Sequence, residues 1–157
     1  MSTRSSDRAA TPWLAAEEER AWRAYRRMVT AVQVRTAQDL AERGLSEADY
    51  EVLSTLSEQP GTASPLHEQA AKMGWSRSRL SRHATRMEAR GLLRREPDPT
   101  DGRGCVLVLT GQGLDTLRDA APAHLASVRR HFVDRLAPED LAALERIAAK
   151  VAAAPAD

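Results

Sequence analysis

The chain has 157 residues, of which 42% are hydrophobic and 29% are charged, and its formal net charge is +1. This length suits one domain, and the near-balanced charge excludes a uniformly basic protein that coats nucleic acid. No apolar run approaches the roughly 18 residues that a membrane span needs. The N-terminus lacks an apolar signal core and the single cysteine cannot form an internal disulfide. We therefore expect a cytoplasmic protein without a membrane partner.

The first part of the chain is predicted to be helical. A long helical stretch between Trp13 and Arg43 is indicated by side chains near helical spacing, and Gly44 ends it. These side chains are Trp22, Tyr25, Val29, Val32 and Thr36. The segment 46–49 resembles a capping box and begins a second helix, which Pro60-Gly61 ends. Ser64-Pro65 predicts the cap and first-turn proline of a short third helix that ends at Gly74.

A fourth helix is predicted to begin after Ser76. Its side-chain oxygen can accept a hydrogen bond from an N–H of the first turn. Trp75 and Leu80 have the spacing of a hydrophobic staple, and Gly91 follows where helices often end. One apolar stripe recurs at steps of three or four: Leu80, Ala84 and Met87. Together with the third helix, this helix predicts a helix-turn-helix.

The opposite face of the fourth helix is basic and rich in hydroxyls: Arg77, Ser78, Ser81, Arg82, Thr85 and Arg86. Arg77 and Arg79 lie in the first turn, where the helix dipole disfavours a cation by roughly 0.3–1 kcal/mol. A docked polyanion would reverse that penalty. Residues 64–110 contain nine Lys or Arg and five Asp or Glu, a local charge of +4, so basic charge is concentrated here. The alternative is a solvated basic face.

Two short β-rich runs follow, Leu92–Glu96 and Val106–Leu109, separated by the Pro- and Gly-rich loop 97–104. In such a hairpin Arg103 could enter a narrow minor groove of DNA, where the potential is most negative. Asp101 would then orient that arginine through a charge-assisted hydrogen bond. The alternative is an ordinary hairpin with a surface ion pair.

The C-terminal part predicts two more helices. Thr110 can cap a long one, which Pro122 should kink. Its apolar seam consists of Leu114, Leu117, Ala121, Leu125, Val128, Phe132 and Leu136. Pro138 begins the last helix, with four apolar side chains on one face: Leu141, Leu144, Ile147 and Val151. We expect these faces to be buried against a second subunit, the alternative being a bundle within one chain.

The pattern from Ser78 to Gly113, S-x-L-S-R-x-x-x-R-M-E-x-R-G-L-L-x-R-x-P-D-P-x-D-G-R-G-x-x-x-x-L-T-x-x-G, resembles the multiple antibiotic resistance regulator (MarR) family. The resemblance implies a bacterial winged helix-turn-helix repressor that binds DNA as a homodimer. The implied fold is mainly α with a small antiparallel β-wing. Residues 1–12 would be a flexible tail and 13–157 a single domain. Within it, 45–113 would be the winged helix-turn-helix, and 13–44 and 114–154 the dimerisation helices.

The resemblance also implies site residues. Ser78, Ser81, Arg82 and Arg86 resemble the family's recognition-helix contacts with DNA, and Asp101 and Arg103 resemble its wing pair. We add their neighbours as further candidate DNA contacts: Ser76, Arg77 and Arg79 on the helix and Gly102 on the wing. Arg77 and Arg79 stand where the family varies and are candidates for site preference. His83 replaces the usual aliphatic residue. The partner would be an inverted-repeat operator in double-stranded DNA, read by two helices about 34 Å apart. The protein would then be associated with the nucleoid when it is bound to DNA.

Family members commonly release DNA when a phenolic or aromatic compound binds, so the resemblance also implies a small-molecule effector. The candidate pocket residues are Trp13, Trp22, Tyr25, Arg26 and Tyr50. Arg26 would hold an anionic group of the effector. Aromatic side chains at helical spacing more often belong to a core or a dimer interface, which is the alternative here.

Other classes of function have weaker support. The sequence contains no glycine-rich phosphate loop, HExxH or CxxC motif, so we expect no enzyme, no metal site and no cofactor. His124 and His131 would stand about 10 Å apart along one helix, too far to share a metal bound at about 2.0–2.1 Å. A redox-responsive regulator using Cys105 is an alternative, against a small hydrophobic role for this thiol. A DNA-binding protein without an effector is another.

Overall fold

The computed structural model describes residues 12–153, so the predicted tail lies, except for Pro12, outside the described residues. The described residues form six α-helices and a three-stranded antiparallel sheet. The elements are α1 Ala16–Ala41, α2 Glu47–Ser57, β1 Ala63–Pro65, α3 Leu66–Met73, α4 Arg77–Ala89, β2 Leu93–Pro97, β3 Cys105–Leu109, α5 Gly111–His131 and α6 Pro138–Ala152. The predicted mainly helical fold with a small β-wing is confirmed. The described residues before Val32 form one compact unit and those from Val32 onward a second.

The first unit holds the N-terminal part of α1. The helix begins at Ala16 rather than near Trp13, and its first turn carries three glutamates, which the helix dipole favours. The side chain of Trp13 precedes the helix and is 98% exposed. Trp22 and Tyr25 stack on each other with ring centroids 5.6 Å apart, and both are half exposed.

In the second unit, the predicted capping box at the start of α2 is confirmed. The hydroxyl of Ser46 accepts a hydrogen bond of 3.0 Å from the Asp49 amide, and the Asp49 carboxylate accepts one of 2.9 Å from the Ser46 amide. Gly44, with φ of 72°, ends the turn after α1 in the left-handed conformation that glycine adopts most readily. Both ends of the α1–α2 connection are therefore fixed by local sequence.

The prediction that Ser64-Pro65 caps a helix is wrong. These residues lie in β1, an edge strand that pairs antiparallel with β3 so that Ala63 faces Val108 and Pro65 faces Val106. Helix α3 begins only at Leu66, without a side-chain cap. A proline is tolerated here because an edge strand leaves one row of N–H groups without ladder partners.

The hairpin of β2 and β3 is confirmed with small shifts of its bounds. Strand β2 begins and ends one residue later than predicted, at Leu93 and Pro97, and β3 begins one residue earlier, at Cys105. The central strand of the sheet is β3. Its side chains Leu107 and Leu109 are buried in a core shared with α2, α4 and α5. This core fixes the hairpin beside α4.

Helix α5 departs from the predicted seam. The cap is as predicted, because the Thr110 hydroxyl accepts a hydrogen bond of 3.0 Å from the Gly113 amide. The helix continues through Pro122 but ends at His131, so Phe132 and Leu136 lie beyond it. The buried face consists of Gly113, Leu117, Ala120 and Ser127. Leu125, a predicted seam residue, is exposed.

Helix α6 begins at Pro138 as predicted, and the Asp140 carboxylate accepts a hydrogen bond of 2.9 Å from the Ala137 amide. Three of its apolar side chains are exposed: Leu141, Ile147 and Val151. Between residues 12 and 153, no helix combines the length and apolar character needed to cross a membrane.

Candidate nucleic-acid interface

A cleft of about 710 Å³ lies between α4 and the loop that joins β2 to β3. Its lining brings together residues of the predicted recognition helix and of the predicted wing: Leu66, His67, Arg77, Ser78, Ser81, Arg82, Asp101, Arg103, Gly104 and Cys105. The side chains of Arg77, Arg82 and Arg103 are exposed. Three guanidinium groups against one carboxylate make the cleft basic, which suits a polyanion.

The exposed arginines follow from how α4 is anchored. Ser76 caps the helix, and its hydroxyl accepts a hydrogen bond of 3.1 Å from the Arg79 amide. The predicted stripe Leu80, Ala84 and Met87 is fully buried. At 3.6 residues per turn, the side chains on the opposite face must then point outward. Burial of one face thus presents the arginines of the other.

Four of the predicted DNA contacts do not line the cleft: Ser76, Gly102, Arg79 and Arg86. The guanidinium of Arg79 lies over the ring of Trp75, 3.6 Å from its centroid, as in a cation–π interaction. Arg86 reaches the Nδ1 atom of His83 at 3.0 Å. Both arginine side chains remain exposed. Trp75 contacts one of them and His83 contacts the other.

The predicted pairing of the Asp101 and Arg103 side chains differs from the structure. The Asp101 carboxylate accepts a hydrogen bond of 3.0 Å from the backbone amide of Arg103. Among the described residues, no salt bridge joins the two side chains. An Asp side chain readily bonds the backbone two residues on and so closes a turn. Asp101 therefore shapes the wing loop and leaves the Arg103 guanidinium free of it.

Asp98 also shapes the wing loop, although it was not among the predicted site residues. Its carboxylate accepts hydrogen bonds from the amide and the hydroxyl of Thr100, at 2.9 and 2.8 Å. These bonds lower the pKa of Asp98 below its ordinary value. The residue is buried in the loop. The Asp-Pro-Thr order was the available signal, because Asp bonded to the residue two positions later makes an Asx turn.

Arg95 of β2 was also overlooked, although it connects the wing to α4. One amino group of its guanidinium donates to the Ser81 carbonyl oxygen at 2.7 Å. The other donates to the Thr85 hydroxyl and the Glu88 carboxylate, each at 3.1 Å. The alternation of β2 gave a weak signal, since Arg95 faces the side opposite to Arg94 and Glu96. The bridge holds the hairpin against α4.

A buried polar cluster connects α4 to α2. His83 lies within 2.9 Å of Asp49 of α2, and Arg90 donates to the same carboxylate at 2.7 Å. Burial alone would raise the pKa of Asp49, but the Ser46 amide and Arg90 lower it below its ordinary value. Burial lowers the pKa of His83, against the opposing effect of Asp49. His83, whose burial the sequence did not predict, is thus one of the buried polar residues.

Of the candidate effector residues, three lie on α1, Tyr50 lies on α2, and Trp13 precedes α1. Arg26 lies on α1 in a shallow groove with Arg23, Arg27, Thr30 and Ala31. Tyr50 of α2 packs on His124 of α5, with ring centroids 4.1 Å apart, beside a cavity of about 290 Å³. Burial raises the pKa of Tyr50 and lowers that of His124. A binding role for any of these residues stays a prediction.

The remaining candidates for chemistry are sparse. Cys105 is half-buried at the start of β3, where it lines the cleft. Within residues 12–153, no group of three or more His, Cys, Asp and Glu side chains is placed to hold a metal ion. The redox alternative therefore rests on Cys105 alone and stays a prediction.

Comparison with known proteins decides the family. Residues 43–104 match the MarR family. The transcriptional regulator HosA of Escherichia coli O111:H- is 34% identical over 96 residues, which cover 61% of this chain and 69% of HosA. The chain belongs to the MarR family. It is thus a transcriptional regulator with the winged-helix fold, as the pattern of residues 78–113 predicted.

Solved structures of MarR-family regulators agree over almost the whole chain. AbsC from Streptomyces coelicolor is 44% identical, with a TM-score of 0.85 over 90% of this chain and 96% of AbsC. Sco3205 from the same organism, solved in complex with DNA, is 36% identical, with a TM-score of 0.86 over 92% of this chain and 91% of Sco3205. The helices outside the winged segment therefore belong to the family fold as well.

Proposed function

We propose that this regulator is a homodimeric repressor that binds an inverted-repeat operator in double-stranded DNA and leaves it when a small aromatic or phenolic effector binds. The cleft between α4 and the wing carries the proposal, because it presents Arg77, Arg82 and Arg103 together. A similar protein, Sco3205, is described in complex with DNA. Such a repressor would act on the nucleoid, in the cytoplasm.

The chemistry of the cleft suits a duplex. Helix α4 would enter the major groove while the wing loop lies along the neighbouring backbone or minor groove. Ser78 and Ser81 line the floor with small hydroxyls that allow close approach to phosphate or base edges. An arginine at position 77 or 82 that pairs with a guanine edge would contribute roughly 1–3 kcal/mol of discrimination. Phosphate contacts would supply most of the affinity.

Exposed apolar side chains support a dimer. Leu125 of α5 and three residues of α6 (Leu141, Ile147 and Val151) present apolar surface in this single chain. Burying each such side chain is worth roughly 1.5–3 kcal/mol, so a second subunit would gain from covering them. We therefore retain 13–44 and 114–154 as dimerisation regions and 45–113 as the DNA-binding region. Two-fold symmetry would then place two α4 helices in successive major grooves.

The cavity beside Tyr50 supports an effector site. It is lined by Leu40, Glu47, Tyr50, Glu51, Ser54, Thr55 and His124, so it combines an aromatic face with hydrogen-bonding groups. It lies between α2, which belongs to the winged segment, and α5, which belongs largely to the proposed dimerisation region. An effector that separates these helices would change the spacing of the two recognition helices and weaken operator binding.

Selection of bound fragments from the host genome by purified protein tests the function. We expect enriched fragments to share an inverted repeat with half-sites about 10 base pairs apart, centre to centre. Recovery of random fragments would contradict the operator model. Salt titration then tests the cleft, because removing one phosphate contact lowers the slope of log K against log salt by about one. Arg103→Ala should do so, and Arg118→Ala should not, since Arg118 is an exposed partner of Asp115 on α5.

The effector is tested separately with a panel of phenols and aromatic carboxylates. Operator affinity should fall with at least one of them in the wild-type protein and change less in Tyr50→Ala. If no compound changes the affinity of the protein for its operator, the alternative of a DNA-binding protein without an effector is supported instead.

A further inference from the structure

Helix α4 contains a histidine where its apolar stripe would predict a hydrophobic residue. The side chain of His83 is only 8% exposed. Its Nε2 atom lies 2.9 Å from Oδ1 of Asp49 on α2, and its Nδ1 atom lies 3.0 Å from an amino group of Arg86. The ring also meets Trp75 edge-on, with centroids 5.7 Å apart. None of these four residues lines the cleft.

The contact with Arg86 determines the protonation state of His83. A guanidinium group can only donate hydrogen bonds, so Nδ1 must be the unprotonated nitrogen that accepts. The single ring proton is then on Nε2, facing the Asp49 carboxylate. The groups facing His83 are Asp49 from α2, which Arg90 also contacts, and Arg79 and Arg86 from α4 itself. Burial, Arg86 and Arg79 lower the pKa of His83 and Asp49 raises it, so the neutral form prevails at neutral pH.

Two predicted DNA-contact arginines lie outside the cleft, Arg79 and Arg86, and both are connected to this histidine by contacts. Arg86 is bonded to the ring directly. Arg79 lies over the face of Trp75, whose ring packs at 85° to that of His83. A flexible arginine reads a base only when its direction is restricted, since immobilising a free side chain opposes binding. Both arginines belong to the basic surface of α4, one on each side of His83.

We propose that neutral His83 is a positioning residue for DNA recognition: it fixes the directions of Arg79 and Arg86 on the surface of α4 and thereby raises discrimination between DNA sequences. The inference rests on the DNA-binding function proposed above. Protonation would convert Nδ1 from an acceptor into a donor that faces a guanidinium group, so the contact with Arg86 would be lost. The added positive charge would meanwhile strengthen binding to a DNA duplex of any sequence. Acid should therefore lower discrimination without lowering total DNA binding.

The test compares two duplexes at pH 7.5 and pH 5.5. One is the duplex that the wild-type protein enriches most from a random-sequence library, and the other is a scrambled duplex of the same composition. The ratio of the two affinities measures discrimination. For the wild-type protein we expect the ratio to be roughly three- to tenfold smaller at pH 5.5, the effect of losing one ordinary hydrogen bond.

Three variants separate positioning from a structural role. His83→Gln keeps an acceptor and a donor but does not titrate, so at both pH values its ratio should stay close to the one that the wild-type protein has at pH 7.5. His83→Leu keeps an apolar packing group without either contact, so its ratio should be low at both. His131→Gln is the matched control, because His131 is also partly buried and lies 3.5 Å from a carboxylate, that of Asp39, but lines neither the cleft nor the cavity beside Tyr50. It should behave as the wild type.

Each outcome of this experiment supports or contradicts the role of His83. A His83→Leu protein that discriminates as well as the wild type would overturn the inference, and so would a His83→Gln protein that loses discrimination in acid as the wild type does. If His83→Leu does not fold, the pH profile of His83→Gln alone decides. A wild-type protein that prefers no duplex at pH 7.5 would instead overturn the proposed function, which keeps the two failures distinguishable.

Discussion

Arg90, which follows α4, and Asp49, in the first turn of α2, form an ion pair of 2.7 Å. The second amino group of Arg90 donates to the Gly44 carbonyl oxygen at 2.6 Å. The same Asp49 carboxylate caps α2 and lies beside His83. One buried carboxylate thus connects the turn after α1, the start of α2 and helix α4.

Removing the charge of Asp49 should destabilise the fold. In Asp49→Asn, the Arg90 guanidinium and the Ser46 amide lose a charged acceptor inside the protein. We expect the free energy of unfolding to fall by about 1–3 kcal/mol, toward the lower end because the Arg90 side chain is 43% exposed. Urea unfolding at pH 7 measures the change. Asp115→Asn breaks an exposed pair and should cost less than about 0.5 kcal/mol; equal losses in both variants would contradict the role of Asp49.

Stability should fall with acid in two steps. The pKa of His83 and that of His124 are lowered by burial. In the unfolded chain these histidines therefore bind protons near pH 6.5, whereas in the folded protein they stay neutral. The free energy of unfolding therefore declines as the pH falls below about 6.5. The lowered pKa of Asp49 gives stability that is present above its ordinary value of 3.8 and is lost as the pH falls through the lower, folded value.

Urea unfolding from pH 8 to pH 3 should show both steps. The double variant His83→Gln, His124→Gln removes both shifted histidines and should flatten the curve between pH 7 and pH 5, while the step below pH 4 persists. An unchanged slope between pH 7 and pH 5 in the double variant would show that these histidines do not cause it.

Gly113, in the first turn of α5, should not tolerate a side chain. A Cβ there would lie 1.9 Å from the Leu92 carbonyl oxygen, which is backbone and cannot move aside. We expect Gly113→Ala to lose roughly 1–3 kcal/mol or more of stability, as overpacked sites do. At Gly111 a Cβ meets nothing within 4 Å, so Gly111→Ala should gain roughly 0.5–1 kcal/mol. Thermal melting compares the two, and a pair of equal melting temperatures would contradict the close approach.

Arg95 should affect DNA binding through the position of the wing. Arg95→Ala removes the bonds to Ser81, Thr85 and Glu88, so the hairpin should move more freely against α4. We expect roughly three- to tenfold weaker operator binding and faster amide hydrogen exchange in β2 and β3. Arg95→Lys keeps the charge without the planar fork of donors and should rescue little.

The neighbouring arginine supplies the control. Arg94 lies on the opposite side of β2, exposed and paired with Glu96, so Arg94→Ala should change hydrogen exchange much less. Full rescue of DNA binding by Arg95→Lys would mean that Arg95 acts by its charge, as a phosphate contact does.

Where a signal was local, the sequence predicted the structure well. The caps at Ser46, Ser76 and Thr110 each bond an amide three residues later, so a short window contains the whole interaction. The burial of Leu80, Ala84 and Met87 follows from helical periodicity in the same way. The pattern of residues 78–113 predicted the family because the wing and its flanking elements are contiguous in the chain.

The sequence by itself determined the helices, the hairpin and the basic face of α4, since those depend on hydrogen bonds and periodicity within a few residues. Only the tertiary structure decided that Ser64-Pro65 is a strand, because its partner β3 lies far along the chain. It also decided that Asp101 bonds a backbone amide and that His83 is buried against Asp49. These outcomes depend on which polar groups the packed fold brings into contact with one another. No local sequence pattern predicts such contacts.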